Sequence, residues 1–261
     1  MISYPKNTPK LFVSLYPVIF SVSDYQGEGI MTINQIQDVL TIGHTIELTF
    51  AGDNVRLAGQ LDYPDRPKPE QGYPLLFVLH HAGCNARADY GHYARMGLMK
   101  GYAVFRWDKR GTGQSGAGGH GSTTQDAVNA YEIALEQPDI NRKQVVILAQ
   151  GAGTGLIGSA FGLFARAQHP AGVVLVSNNL DERDILAIEA PVQIIVGQND
   201  WNDCNLFATG SAQAHSKAYE YGAAHYIAPG AERNLMDMRY DPPVFHPGAR
   251  EVIEDWLANL A

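Results

Sequence analysis

The sequence has no run of roughly 18 apolar residues, the length a helix needs to cross a bilayer, so no membrane span is expected. Cysteine is scarce. Cys84 and Cys204 are the only two, which excludes a disulfide-rich scaffold and leaves either two thiols or one bridge. Basic residues are the minority charge, 19 Lys and Arg against 27 Asp and Glu, for a formal net charge of -8. No basic patch stands out, so neither nucleic acid nor membrane is expected as a partner, and the acidic excess favours solubility. Internal repeats and low-complexity segments are missing, as is any Pro/Ser/Gly-rich linker that would divide the chain.

What is present is a globular balance: 261 residues, 45% hydrophobic and 18% charged. A chain of this length buries about 75% of its unfolded surface and needs no staples. Residues 31–261 read as one domain. Residues 1–30 stand apart as an extension, because Lys6 and Lys10 precede the apolar run Leu11 to Val22. A basic start before an apolar stretch is like a weak secretory signal, although Ser21-Val22-Ser23 is a poor cleavage pattern. Met31 opens a clean segment of its own. A cytoplasmic location is expected, with secretion the alternative.

Hydropathy patterning orders the elements. Thr45 to Phe50 and Val55 to Leu61 alternate around Gly52-Asp53-Asn54, which predicts a β-hairpin. Continuous apolar runs at Leu75–Leu79, Tyr102–Arg106, Val145–Ala149, Val173–Val176 and Val192–Val196 predict strands buried on both faces. A short strand is expected at His225–Ala228. Helical spacing covers Tyr90–Lys100, Thr124–Glu136, Gly155–Gln168 and Ala249–Leu260. A hairpin followed by β-α units predicts an α/β fold: a mostly parallel central sheet with helices on both faces.

Three segments then occur in order. Leu79-His80-His81-Ala82-Gly83 follows the first buried strand. Asp108-Lys109-Arg110-Gly111-Thr112-Gly113-Gln114-Ser115 follows the second. Val145 to Gly155, VVILAQGAGTG, covers the third and the turn after it. Together they resemble the oxyanion loop, the D-x-R-G-x-G-x-S turn and the nucleophile elbow of the α/β-hydrolase superfamily. The layout is similar to its compact, lidless, dienelactone-hydrolase-like members. The resemblance runs from about Thr45 to the C-terminus. It implies the α/β-hydrolase fold, with a serine on the elbow, a histidine base and an orienting carboxylate.

The chain departs from that pattern at two of the three positions. Gly151 occupies the serine position, and sliding the register by two would place Gly153 there instead. Thr154 is the only hydroxyl nearby. Gly197-Gln198-Asn199-Asp200 resembles the turn carrying the acid, so Asp200 retains that position. After the last strand Pro229-Gly230-Ala231-Glu232-Arg233-Asn234 puts Arg233 in the histidine position, where an ion pair with Asp200 is geometrically reasonable. His225 falls within a strand; His246, beginning the last helix, is the better substitute base. Losing the nucleophile costs a serine protease about 10⁶ in turnover, which argues against serine chemistry here.

The remaining candidates weigh as follows. His80 reads as structural, whereas His81 reads equally as a replaced glycine or a pocket group. Cys84 reads as a bystander thiol, and Ser115 as a local cap. Gly153, Gly155 and Gly158 spell a dinucleotide fingerprint, but after the third strand and without the acid that motif requires. No metal and no cofactor is expected. Three functions follow. The leading one is a pocket for a small, anionic ligand such as a carboxylate, lined by His81, Ala82, Ala152 and Arg233. The second is an ester hydrolase or lyase using a displaced Asp200 and His246. The third is a scaffold with a vestigial pocket.

Overall fold

The computed structural model describes residues 19–20, 31–32, 42–83, 85–200, 204–241 and 243–260. Cys84 and most of the 1–30 extension lie outside them. Ile19–Phe20 pairs antiparallel with Met31–Thr32. The predicted hairpin forms from β1 (Ile42–Gly52) and β2 (Val55–Pro64), which turn at Asp53 and Asn54. Asn54 takes φ 54°, a left-handed conformation that asparagine accepts more readily than most residues.

Six further strands follow: β3 (Tyr73–Leu79), β4 (Ala103–Trp107), β5 (Ile140–Gln150), β6 (Gly172–Val176), β7 (Val192–Gly197) and β8 (Ala223–Ala228). The sheet order is β1-β2-β4-β3-β5-β6-β7-β8. Pairing is antiparallel from β1 through β2 to β4 and parallel everywhere else. Every residue of β3, β4, β6 and β7 is buried, which is why these strands read as continuous apolar runs. Burying each Leu, Val or Phe among them contributes about 1.5–3 kcal/mol.

Helices cover both faces. α2 (Thr123–Leu135), α3 (Ala152–Ala167) and α4 (Cys204–Ala218) share a core with Phe77, Phe105 and Ile147. α1 (Gly91–Met99) and α5 (Pro247–Leu260) pack on the other face against Leu76, Val104 and Val174. Among the described residues no helix is long and apolar enough to cross a membrane.

Two differences from the sequence reading have physical causes. α3 begins at Ala152, not Gly155, because its first turn is held from outside rather than by propensity: Gly153 fits against the carbonyl oxygens of Leu79 and His80. α4 was not expected at all. Its inward stripe is Ala208, Ser211, Ala212 and His215, small and polar residues that carry little apolar periodicity. Hydrogen bonds replace hydrophobicity there, with Ser211 Oγ donating to Leu180 O (2.7 Å) and His215 Nε2 bonding Ile188 O (2.9 Å).

Candidate functional site

Sheet order reverses between β3 and β5, and in open α/β sheets ligands bind at the carboxyl ends beside such a reversal. Register brings two residues together there. Leu79 pairs with Ala149, so His81 and Gly151, each two residues further on, stand side by side.

Gly151 is the apex of the turn between β5 and α3. It caps the helix at φ 54° and ψ −114°, a backbone conformation strained for any residue with a side chain. Its N–H donates to Val176 O at 2.8 Å. A β-carbon built on Gly151 would lie 2.2 Å from His81 Nδ1. The imidazole therefore fills the space a nucleophile's side chain would need. Thr154 is fully buried in the first turn of α3. Its Oγ1 donates to Gly151 O (2.7 Å) and accepts from Asn179 N (3.0 Å), so the hydroxyl in the first turn of α3 is committed to backbone.

The loop carrying His81 is held mainly through its carbonyls. Lys109 Nζ donates to the oxygens of His81 (2.5 Å) and Gly83 (3.1 Å). Asn85 Nδ2 donates to those of His81 (3.0 Å) and Ala82 (2.8 Å). The His81 N–H donates to Tyr90 Oη at 2.8 Å. Ala152 opens α3 and is exposed, so its N–H has no acceptor within its own helix.

Burial lowers the pKa of His81, and the Arg233 and Lys109 cations lower it further against the opposing pull of Asp200. His81 Nδ1 is buried against Gly151 without a hydrogen-bond partner, which also disfavours the doubly protonated ring. His80 is more deeply placed, edge-on to Tyr90 and Trp107 at 4.9 and 4.7 Å. Burial, with Lys109 adding to it, pushes His80 down to about 3.

Asp200 and Arg233 form an ion pair, Nη1 to Oδ1 3.1 Å, with the Asp200 side chain fully buried. Arg233 Nη2 also reaches Asn179 Oδ1 (3.2 Å), and Ser177 Oγ donates to the Arg233 carbonyl. His246 stands elsewhere, at the start of α5. Its Nδ1 accepts from Ala249 N (3.1 Å), which puts the proton on Nε2, and Nε2 donates to Pro229 O (3.1 Å). Both nitrogens are thereby used by backbone, so His246 serves as a helix cap.

Ser115 is likewise structural, accepting from Ala58 N (2.9 Å) and donating to Asp108 O (2.6 Å). Gly158 of the fingerprint-like run fits against Leu180, where a β-carbon would come within 2.6 Å of Cδ2. The glycine spacing thus serves close packing. No cluster of three metal-ligating side chains occurs among the described residues.

Two cavities meet at His81. One, of about 440 Å³, is lined by Ala82, Trp107, Lys109, Ala152 and Leu156. The other, of about 330 Å³, is lined by Gln150, Glu232, Arg233 and Asn234. Lys109, Gln150, Asn234 and Trp107 were not singled out by sequence. Lys109 is the variable position inside the D-x-R-G turn, and nothing in the linear pattern marks it as reaching the β3 loop.

No protein-family profile and no curated protein matches this chain. Solved structures do. A hypothetical protein of Pseudomonas aeruginosa superposes with TM-score 0.62 at 14% identity, over 84% of this chain and 94% of that one. A dienelactone-hydrolase-like promiscuous phosphotriesterase from metagenomic libraries gives 0.60 at 15% identity, over 83% and 98%. A putative α/β hydrolase of Agrobacterium tumefaciens gives 0.59 at 19% identity, over 82% and 94%. At such identities the likeness is one of fold.

Proposed function

We propose that this chain, whose fold is that of the α/β hydrolases, binds a small anionic ligand and does not hydrolyse esters through a serine. The observation that carries this reading is the His81 imidazole seated over Gly151. A serine cannot simply be supplied from another register, because Thr154 is buried and bonded at both lone pair and proton. The histidine position holds Arg233, whose charge is matched by Asp200.

Recognition of an anion such as a carboxylate rests on what surrounds the larger cavity. Lys109 brings a positive charge to its wall. Ala152 presents an amide at the N-terminus of α3, where the helix dipole favours negative charge. Arg233, held in its ion pair with Asp200, lines the smaller cavity on the far side of His81. The cavity is open rather than filled by side chains, which favours a ligand pocket over a bare scaffold. The alternative of a displaced hydrolytic set around Asp200 and His246 loses support, since His246 caps α5 through both nitrogens.

Two measurements test the reading. Intact mass after fluorophosphonate treatment should show no adduct beside a labelled control esterase; a stoichiometric adduct would restore serine-type chemistry. Calorimetry with short-chain carboxylates should show binding without turnover of the matching esters, and Lys109→Met should weaken that binding about tenfold, the loss of one charge-assisted contact.

A further inference from the structure

Gln150 ends β5 one residue before the Gly151 apex. The cavity of about 330 Å³ opens beside it, with His81, Glu232, Arg233 and Asn234 on its other walls. The Gln150 side chain is only 8% exposed, yet it makes no hydrogen bond among the described residues. Its amide is not sealed into the core either, so both of its ends open onto the cavity. A buried amide in that position needs a partner from a ligand or from water. Glu232, half-buried, likewise makes no side-chain hydrogen bond or ion pair among the described residues. Asn234 is oriented by the backbone: its Oδ1 accepts from Met236 N (3.0 Å), which leaves Nδ2 to donate. The Arg233 guanidinium is already engaged by Asp200 and Asn179. The loop bearing these residues is fixed in place. Gly230 N donates to Gln198 Oε1 (2.9 Å), and Ser177 Oγ donates to Arg233 O. Leu235, fully buried, is held at φ 59°, a left-handed conformation that a bulky residue keeps only where its surroundings impose it.

We infer that this smaller cavity is a second binding site, for a primary carboxamide, with Gln150 as the residue that selects it. A carboxamide carries two N–H donors and one oxygen with two lone pairs. Gln150 Oε1 and the Glu232 carboxylate are two acceptors for the N–H groups. Gln150 Nε2 and Asn234 Nδ2 are two donors for the oxygen. A carboxylate in the same place would bring no hydrogen for Glu232 and would be repelled by it. An ammonium group would leave both amide donors without an acceptor, which is costly for the buried Gln150. The volume lies at the low end for ligand sites, which suits a small head group. This site is separate from the anion pocket and stands or falls without it.

The test is a ¹H–¹⁵N titration of the full chain with propionamide, N,N-dimethylpropionamide and propionate. The side-chain NH₂ pair of Gln150 is identified by its loss in Gln150→Met. That pair should shift saturably with propionamide. Dimethylation, which removes both N–H donors, should weaken binding about tenfold or more. Gln150→Met keeps the shape of the side chain, and it should weaken propionamide binding by about the same factor, read from the Asn234 pair. Glu232→Met, on the loop rather than in the sheet, gives the same reading should Gln150→Met fail to fold. Propionate held in the larger cavity should move the Ala152 amide and leave the Gln150 pair in place, so the two sites are scored separately. No saturable shift of the Gln150 pair with propionamide would mean that the cavity holds water only, and would overturn the site. Equal affinity for propionamide and its dimethyl form would overturn it as well, as would propionamide binding unchanged in both variants.

Discussion

His81 Nδ1 lies 2.2 Å from where a β-carbon of Gly151 would stand, so the two residues exclude each other's alternatives. A side chain at 151 requires the ring to leave, and the ring in place requires glycine. The backbone adds to the constraint, because φ 54° with ψ −114° is costly for any other residue.

Gly151→Ser should therefore destabilise by about 1–3 kcal/mol and still fail to react with fluorophosphonates, having no histidine at position 233. His81→Gly in the same chain should recover part of the loss. Urea unfolding of both single variants and the double variant measures the coupling, expected at about 0.5–3 kcal/mol. Additive effects would mean that the ring does not occupy that space.

The parallel sheet was legible because β3, β4, β6 and β7 are buried on both faces and spell it in apolar residues. The elbow was legible as a glycine-rich turn after β5. What filled it was not, since the contact between His81 and Gly151 depends on the register of β3 against β5, a relation between segments some seventy residues apart. Lys109 escaped notice for the same reason: its partners are the carbonyls of the β3 loop. His246 looked like a substitute base because helix caps and catalytic bases draw on the same residue type. Only its two backbone partners distinguish them.

Acid should destabilise the fold through its buried histidines. His80 and His92 are lowered from 6.5 to about 3 and about 4, chiefly by burial. With folded values below unfolded ones, the unfolded chain binds more protons once pH drops below 6.5. Their stabilising effect is complete above that pH and is lost as pH falls towards the folded values. Each contributes a slope of about 1.4 kcal/mol per pH unit within its window. His80→Phe, replacing a buried imidazole by an apolar ring that cannot titrate, should flatten the slope by one proton in urea midpoints taken across that range. An unchanged slope would place His80 in water.

Removing one member of the Asp200–Arg233 pair should cost more than its surface position suggests. The Asp200 side chain is fully buried and that of Arg233 is 14% exposed. Arg233→Met takes a cation away from a buried carboxylate, which in comparable settings costs about 3–5 kcal/mol. Adding Asp200→Asn should return a large part of that by removing the charge left behind. Chemical denaturation of the three variants checks the order. A double variant as unstable as the sum of the singles would mean that the pair is not coupled.

Thr154 offers the sharpest separation between a nucleophile and a strut. Its Oγ1 ties Gly151 O to Asn179 N, and Asn179 Oδ1 in turn receives Arg233 Nη2. The hydroxyl thus links the elbow to the loop that fixes the arginine. Thr154→Val keeps the shape and removes both hydrogen bonds, leaving the Asn179 N–H without that acceptor. The expected cost is about 1–3 kcal/mol of stability, the range for a buried group deprived of its partner. Thr154→Ser retains the hydroxyl and should recover most of it. A strut predicts that Thr154→Val weakens carboxylate binding no more than its effect on the Arg233 loop allows, and that ester turnover stays at the level of the wild type. Loss of a measurable esterase activity in Thr154→Val, with stability intact, would instead make Thr154 the nucleophile.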